Sequence, residues 1–407
     1  MVETSSLRLP AGIRDFAPGA AAARRQIAEA FIGVFERWGY AQVITPAFEY
    51  EAVLARGLGS DGRASALRFV EPSSGQVLAL RPDITPQVAR LMATRFREET
   101  GPIRLCYEGP VFRYDATSRA QKELIQAGVE LAGLAGADGD VEVISVALDA
   151  LAAAGLSDVT IDLAHPGLAR AVIDGVRLPE PLVAVFRERV AKRDRAGVTG
   201  LLEQASGPKA MVAFAQLLPT LSGDASILDD AFERAPGVEV RRALADLREV
   251  VERLADRGIR GGNVHVDLGE IRGFDYYTGV RFQGFVHGAA DAVLAGGRYD
   301  ALMGRYGRPR AAVGFAIDVE ATAGALEHLQ ERTRGAATNG FRRGEGGCLV
   351  VGEAGLAERE ALRLRAEGRR AAVAGPMGLD DARAYARRWG YSEMLLVGAK
   401  LKTLPVD

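Results

Sequence analysis

The sequence predicts an α+β fold, an antiparallel sheet flanked by helices with a small β/α unit behind it, and three observations carry that reading. β-prone segments at Ala66–Val70, Val77–Leu80, Ile103–Tyr107 and Val111–Tyr114 include neighbours with no helix between them, which favours antiparallel pairing. Amphipathic segments with apolar residues at spacings of three and four precede and follow them. After residue 347 the pattern becomes a strict alternation of strand and helix, the order of a parallel β/α unit.

From the N-terminus, Ile27, Ala30, Phe31, Val34 and Phe35 mark one buried face of a helix over Ala20–Trp38, stopped by Gly39. Tyr40–Ile44 reads as a strand ending at Thr45-Pro46, because a residue before proline is held away from the helical region. A helix over Pro82–Arg97 opens at Pro86 and turns Val88, Leu91 and Met92 inward; Asp140–Ala154 is another, rich in Ala, Val, Ile and Leu. Pro179–Leu254 is long, amphipathic and rich in Arg, Glu and Ala, and is expected to be a helical insertion at about 179–256 without strands. Strand signals return at Asn263–Leu268, Val280–Val286, Ala292–Leu294 and, past a glycine pair, Ala311–Val319, completing the first sheet. The expected organisation is a core over 1–330, a Gly- and charge-rich linker over 331–347, and a unit over 348–407. In that last unit Cys348–Gly352, Arg370–Ala374 and Glu393–Gly398 are strands, and Ala357–Ala366 and Asp380–Trp389 helices.

Lys and Arg number 51 against 53 Asp and Glu, a formal charge of −2, which argues against a protein that coats nucleic acid. With 48% hydrophobic and 26% charged residues the chain can build a sizeable core. Cys106 and Cys348 lie far apart, and the four histidines stand singly, so no metal is expected. No apolar run reaches the roughly 18 residues of a membrane span, and the N-terminus lacks the apolar core of a signal peptide; a cytoplasmic location is expected.

Gly57–Gly62 (GLGSDG) matches the dinucleotide fingerprint by letter, but a helical segment precedes it and a β-prone one follows, the reverse of what phosphate binding requires. Leu78–Pro86 (LALRPDITP) delivers Arg81, Asp83 and Thr85 at alternate positions, which on an extended chain share a side. Asp83 beside Thr85 suits an ammonium group; the same pair also suits capping the helix that follows, and both readings stand. In GPVFRYD (Gly109–Asp115), Arg113 offers a guanidinium that can fork onto a carboxylate or phosphate. In QAGVE, a strand places Gln126, Gly128 and Glu130 on one face, with the glycine leaving room for a ligand, or equally makes a solvent-facing edge. RGFDYYTG (Arg272–Gly279) joins Arg, Asp and two tyrosines, a density of polar anchors that a plain core would have to satisfy one by one.

Together with LPAGIRDF (Leu9–Phe16), GYAQVITPAFE (Gly39–Glu49), AGGRYDALMGRYG and AVGFAIDVEA, these blocks resemble the catalytic core of class II aminoacyl-tRNA synthetases, specifically histidyl-tRNA synthetase, over roughly the first 320 residues. The resemblance implies the class II antiparallel sheet. It also implies that Asp83, Thr85 and Gln126 hold the ammonium group of histidine, that Arg113 and Arg272 face its carboxylate, and that Glu130 and Tyr276, with Tyr277 beside them, read its imidazole. The chain departs from that family where an ATP-binding arginine ends the third class motif: here it reads Ala-Ile-Asp318-Val-Glu320-Ala321, and a methyl group cannot pair with a triphosphate. The second-motif loop, YDATSRAQKE, is less basic, although Arg119 retains part of its charge, and the C-terminal unit resembles only part of an anticodon-binding domain.

A synthetase-like body of this kind is similar to the regulatory-subunit family of ATP phosphoribosyltransferase. That resemblance implies a chain without catalysis of its own and no cofactor. It implies self-association as a dimer, a hetero-octamer with the short-form catalytic subunit, L-histidine as allosteric ligand, and neither tRNA nor membrane as partner. The alternatives are an active histidyl-tRNA synthetase or another histidine-binding paralogue.

Overall fold

A computed structural model describes residues 8–114, 122–259, 263–271, 276–334, 347–375, 377–398 and 400–406. The chain divides into two compact units, one of Met1–Ile13 with Ile27–Gly335 and one of Arg14–Gln26 with Ala336–Asp407. Helix α1 (Pro18–Arg37) buries Ile27, Phe31, Val34 and Phe35 and is stopped by Gly39 at φ +83. Strand β1 (Ala41–Gln42) follows; then β2 (Phe48–Tyr50), α2 (Glu51–Leu54), α3 (Ser60–Ser65), β3 (Arg68–Val70) and β4 (Val77–Leu80) make a three-stranded sheet of order β2-β4-β3 with its short helices. Helix α4 (Thr85–Arg95), with proline in its first turn, leads to the long antiparallel pair β5 (Ile103–Phe112) and β6 (Glu123–Ala132). Helix α5 (Gly136–Ala153), β7 (Val159–Ala164) and α6 (Pro166–Val176) come next.

The insertion contains α7 (Glu180–Ala191), α8 (Arg195–Leu202), α9 (Lys209–Leu217), β8 (Ser222–Gly223), α10 (Ile227–Arg234) and α11 (Gly237–Asp256). Strands β9 (Val264–Asp267), β10 (Arg281–Val286) and β11 (Leu294–Arg298), helix α12 (Asp300–Tyr306), β12 (Ala312–Asp318) and α13 (Val319–Arg334) complete the first unit. Its nine-stranded sheet runs β1-β5-β6-β12-β11-β10-β7-β9-β8, antiparallel except where β1 meets β5 and β7 meets β9. The C-terminal strands β13 (Cys348–Gly352), β14 (Ala371–Ala374), β15 (Glu393–Val397) and β16 (Lys402–Pro405), with α14 (Ala354–Ala366) and α15 (Leu379–Trp389), form a sheet of order β14-β13-β15-β16.

The pleat of the large sheet separates two environments. Ala127, Val129 and Leu131 of β6 join Phe35, Ile144 and Phe315 in a continuous apolar core beneath α1 and α5. The other face lies against α4 and α12, where Val88, Met92, Tyr107, Tyr299 and Leu302 pack. Gln126, Gly128 and Glu130 point to this second face, as the two-residue period requires.

Several expectations are revised. The segments 103–107 and 111–114 belong to a single strand, because Pro110 takes a position that still allows ladder pairing through Gly109–Gln126 and Val111–Leu124. The insertion is not purely helical: β8 adds an antiparallel edge to β9. Strand β7 and helix α6 occupy a stretch with no prior assignment, and β16 adds an antiparallel edge to the otherwise parallel C-terminal sheet. Helix α13 continues to Arg334, inside the stretch whose composition marks a linker. Around Gly57–Gly62, α2 precedes and the short α3 follows, and Gly57 lies tight against Pro86 and the Tyr306 hydroxyl, leaving no cradle for a phosphate.

Candidate functional site

The site is built on Glu130. Register pairs it with Leu105 of β5 and Gly314 of β12, at the middle of the sheet, where it is 2% exposed. A carboxylate in that place needs donors, and hydroxyls supply them: Tyr107 Oη donates to Oε1 at 3.3 Å, Tyr299 Oη donates to Oε2, and the Thr85 hydroxyl lies within hydrogen-bonding reach. Burial raises the Glu130 carboxyl well above its ordinary range, with Asp83 adding to the rise and the hydroxyl donors opposing it. Tyr107 and Tyr276 are likewise raised, chiefly by burial and then by these two carboxylates.

Tyr276 faces Tyr277 edge-on at 5.0 Å between ring centroids and Tyr299 at 5.6 Å. Its ring is partly exposed, but its hydroxyl is buried and has no hydrogen-bond partner among the described residues; Gln126 Oε1 is in the same condition. Two orphaned polar atoms on the same side of the sheet as a buried carboxylate suit a ligand carrying both N–H groups and an acceptor.

The turn from β4 into α4 supplies the rest. Arg81, Asp83 and Thr85 do not alternate along an extended strand, because β4 ends at Leu80 and α4 begins at Thr85. Arg81 instead turns into the structure, where Nε donates to Pro110 O at 2.7 Å and Nη1 to Thr45 O and Oγ1, each at 2.9 Å. It ties the loop after β1 to β5 and is a strut. Asp83 remains half-buried and accepts the Thr85 N–H at 3.4 Å, a long local bond that leaves its carboxylate available among the described residues. Arg113 is half-buried; its Nε donates to Pro82 O at 2.9 Å, and its charge lowers the carboxyl of Asp318, which burial otherwise raises. Register sets Asp318 opposite Gln126. Asp318 itself caps α13, accepting the N–H groups of Glu320 and Ala321 at 2.8 and 2.9 Å.

Asp83, Thr85, Glu130, Tyr276 and Tyr277 therefore gather in one place, with Gln126 on the same strand face as Glu130 and Arg113 near its end. Arg272 and Asp275 of RGFDYYTG and Arg119 of the second-motif loop lie outside the described residues. One reading is corrected: Gly128 does not leave room for a ligand. A Cβ there would meet Phe315 O and lie 2.6 Å from the Tyr107 hydroxyl, so the glycine makes space for that phenol. Tyr107 and Tyr299, the hydrogen-bond donors to Glu130, are the members of this cluster that sequence reasoning missed. Tyr299 stands in AGGRYD, inside the resemblance, and was the available signal; nothing around Tyr107 distinguishes it from an ordinary core tyrosine.

Comparison with known proteins identifies the family and the fold. Residues 12–322 match the family model described as histidyl-tRNA synthetase. Curated proteins named ATP phosphoribosyltransferase regulatory subunit include one from Geobacter sulfurreducens, 36% identical over 96% of this chain and 88% of its own length. Another, from Anaeromyxobacter dehalogenans, is 41% identical over 81% of this chain and 94% of its own. Among solved structures, an ATP phosphoribosyltransferase regulatory subunit/histidyl-tRNA synthetase from Bacillus halodurans C superposes with TM-score 0.80 at 26% identity, covering 97% of this chain and 99% of that one. A histidyl-tRNA synthetase from Nostoc sp. PCC 7120, at 17% identity and TM-score 0.76 over 98% of this chain and 97% of that one, shares the fold. The chain belongs to the ATP phosphoribosyltransferase regulatory subunit family, built on the class II fold of histidyl-tRNA synthetase.

Proposed function

We propose that this chain is a non-catalytic, histidine-sensing subunit that a short-form ATP phosphoribosyltransferase catalytic subunit requires for activity, assembled with it as a cytoplasmic hetero-octamer built from dimers. The observation that carries the ligand is Glu130, buried among hydroxyl donors, together with a Tyr276 hydroxyl that has no partner among the described residues. A carboxylate and a phenol can address the two ring nitrogens of an imidazole, while Asp83, Thr85 and Gln126 suit an ammonium group and Arg113 a carboxylate. Feedback is then linkage: histidine inhibits by binding the inactive assembly more tightly than the active one. The names of the relatives support the partner, and no described helix is long and apolar enough to cross a membrane.

Reconstitution tests this. Mixing the chain with a short-form catalytic subunit should produce phosphoribosyl-ATP formation that histidine inhibits; no activation refutes the assignment. Glu130→Ala should weaken inhibition and leave activation largely intact, and equal inhibition would remove Glu130 from the site. The family match favours one other reading, an active histidyl-tRNA synthetase. Against it, the third-motif arginine position is Ala321, whose N–H is engaged by the Asp318 cap. Robust histidine-dependent ATP–pyrophosphate exchange by the purified chain would establish the synthetase reading instead.

A further inference from the structure

Behind the tyrosines lies a second buried polar cluster, centred on Arg298 at the end of β11, which is 6% exposed. Its guanidinium sits 2.8 Å from Asp140 Oδ1 on α5 and 3.2 Å from Asp300 Oδ1 at the start of α12. Nη2 also donates to Gly136 O at 2.8 Å and Nη1 to Leu134 O at 3.4 Å, both in the turn that follows β6. The main chain of the same residue holds the stretch after the tyrosine pair: Arg298 O accepts the Thr278 N–H at 2.7 Å, and Arg298 N donates to Val280 O at 2.8 Å. Its stem runs so close to Gly279 that a Cβ there would lie 2.8 Å from Arg298 Cδ. Asp300 completes the knot, its N–H donating to Thr278 Oγ1 at 2.9 Å and its carboxylate accepting the Ala312 N–H at 2.8 Å.

Arg298 thus joins three segments, and each carries part of the pocket. The turn at Leu134–Gly136 continues the strand of Glu130 and Gln126, Thr278 follows Tyr276 and Tyr277, and the residue after Arg298 is Tyr299, the donor to Glu130. The cluster is costly as a stabilising device. Among the described residues, Arg298 Nε, Asp140 Oδ1 and both nitrogens of His165 are buried without a well-directed hydrogen bond, and apolar filling would serve stability as well or better. Burial raises the Asp140 carboxyl to about 6 against the pull of Arg298. The charged or titratable groups around it are Arg298 on β11, Asp300 on α12, His165 between β7 and α6, and Asp246 on α11, 3.4 Å from His165 and itself beside Arg242.

We propose that Arg298 and Asp140 are positioning residues for the histidine pocket: their ion pair holds the three segments in the arrangement that brings Tyr299 and Tyr276 to Glu130, and the charge on Asp140 sets the affinity for histidine. This rests on the histidine-binding reading above. The carboxylate is charged above about pH 6 and neutral below it, so the hold on Arg298 weakens as pH falls.

Calorimetric titration of the full chain with L-histidine, wild type against Asp140→Asn, tests the proposal. At about pH 7.5 the variant should bind roughly tenfold more weakly, and the ratio should shrink toward one near pH 5 as the wild type loses the same charge. Taking the ratio at each pH cancels the titrations of the ligand and of Glu130, which both proteins share. Equal affinity at the higher pH, or a ratio that does not change with pH, overturns the proposal; a merely structural role gives the second result together with a lowered Tm. Should Asp140→Asn fail to fold, Asp300→Asn, at a side chain 45% exposed, keeps the test: a several-fold loss of affinity is expected, and no loss overturns it. A wild type that binds no histidine removes the pocket reading and this proposal together, whereas normal wild-type binding with an unchanged variant removes this proposal alone.

Discussion

On the large sheet, the face beneath α4 and α12 buries Glu130 and Gln126 among tyrosines, whereas the faces of the four-stranded C-terminal sheet bury Leu349, Val350, Val351, Met394, Leu395, Cys348 and alanines. Among the described residues beyond 347, no charged side chain is buried. The first arrangement forgoes stability, since a buried carboxyl must be desolvated and its donors held in place. The second gains about 25 cal/mol for each Å² of apolar surface removed from water. One sheet carries buried polar groups at a cost in stability, and the other is packed for stability.

The comparison can be broken at its strongest point by truncating the C-terminal core. Leu349 is fully buried, and Leu349→Ala should lower the stability of that unit by about 3 kcal/mol while histidine affinity stays unchanged. Denaturant unfolding followed beside a histidine titration separates the two effects, and a loss of affinity would mean that the two regions are not energetically independent. Next comes Glu130→Gln, which should reduce histidine affinity about 30-fold, or about 2 kcal/mol, by removing the charge-assisted bond that forms when the carboxyl passes its proton to the imidazole. It should keep or raise stability. Because the folded-state carboxyl lies above its ordinary 4.5, the folded wild type holds a proton that the unfolded chain releases, so its stability falls as pH rises from about 4.5. The glutamine variant escapes that loss, and its advantage should grow with pH; a variant less stable at every pH would show that the carboxylate supports the fold. The smallest effect is a rate. Burial raises the thiol of Cys106 in the large sheet to about 12 and that of Cys348 in the small one in the same direction. Iodoacetamide should therefore label neither in the native protein, and earlier labelling of Cys348 on mild warming would identify the small sheet as an independently opening unit.

Much of the architecture is legible before any coordinates, for reasons tied to range. The helical period of Ile27, Phe31, Val34 and Phe35 and the two-residue period of Gln126, Gly128 and Glu130 are properties of neighbouring residues. The β13–α14–β14–α15–β15 alternation is legible in the same way. Strands β8 and β16 are only two and four residues long, too short to show a period, whereas β7 and α6, bounded by Gly155 and by Pro166-Gly167, carry signals that the sequence reading left unassigned. Within the site, RGFDYYTG and LRPDITP stand out by density of polar residues, yet density does not tell a strut from a ligand contact: Arg81 and Asp83 are two positions apart, and one anchors loops while the other stays available.

By itself, then, the sequence determined where most of the longer helices and strands lie, that Gln126 and Glu130 share a face, and that the third-motif arginine position holds alanine, because each depends on local periodicity or on identity at a single position. Only the tertiary structure decided that Tyr107 and Tyr299, 23 and 169 residues from Glu130, complete its surroundings, that Gly128 makes space for a phenol, and that Arg298 ties three segments of the chain to Asp140. Those are consequences of strand order and register, which bring together residues that no local pattern connects.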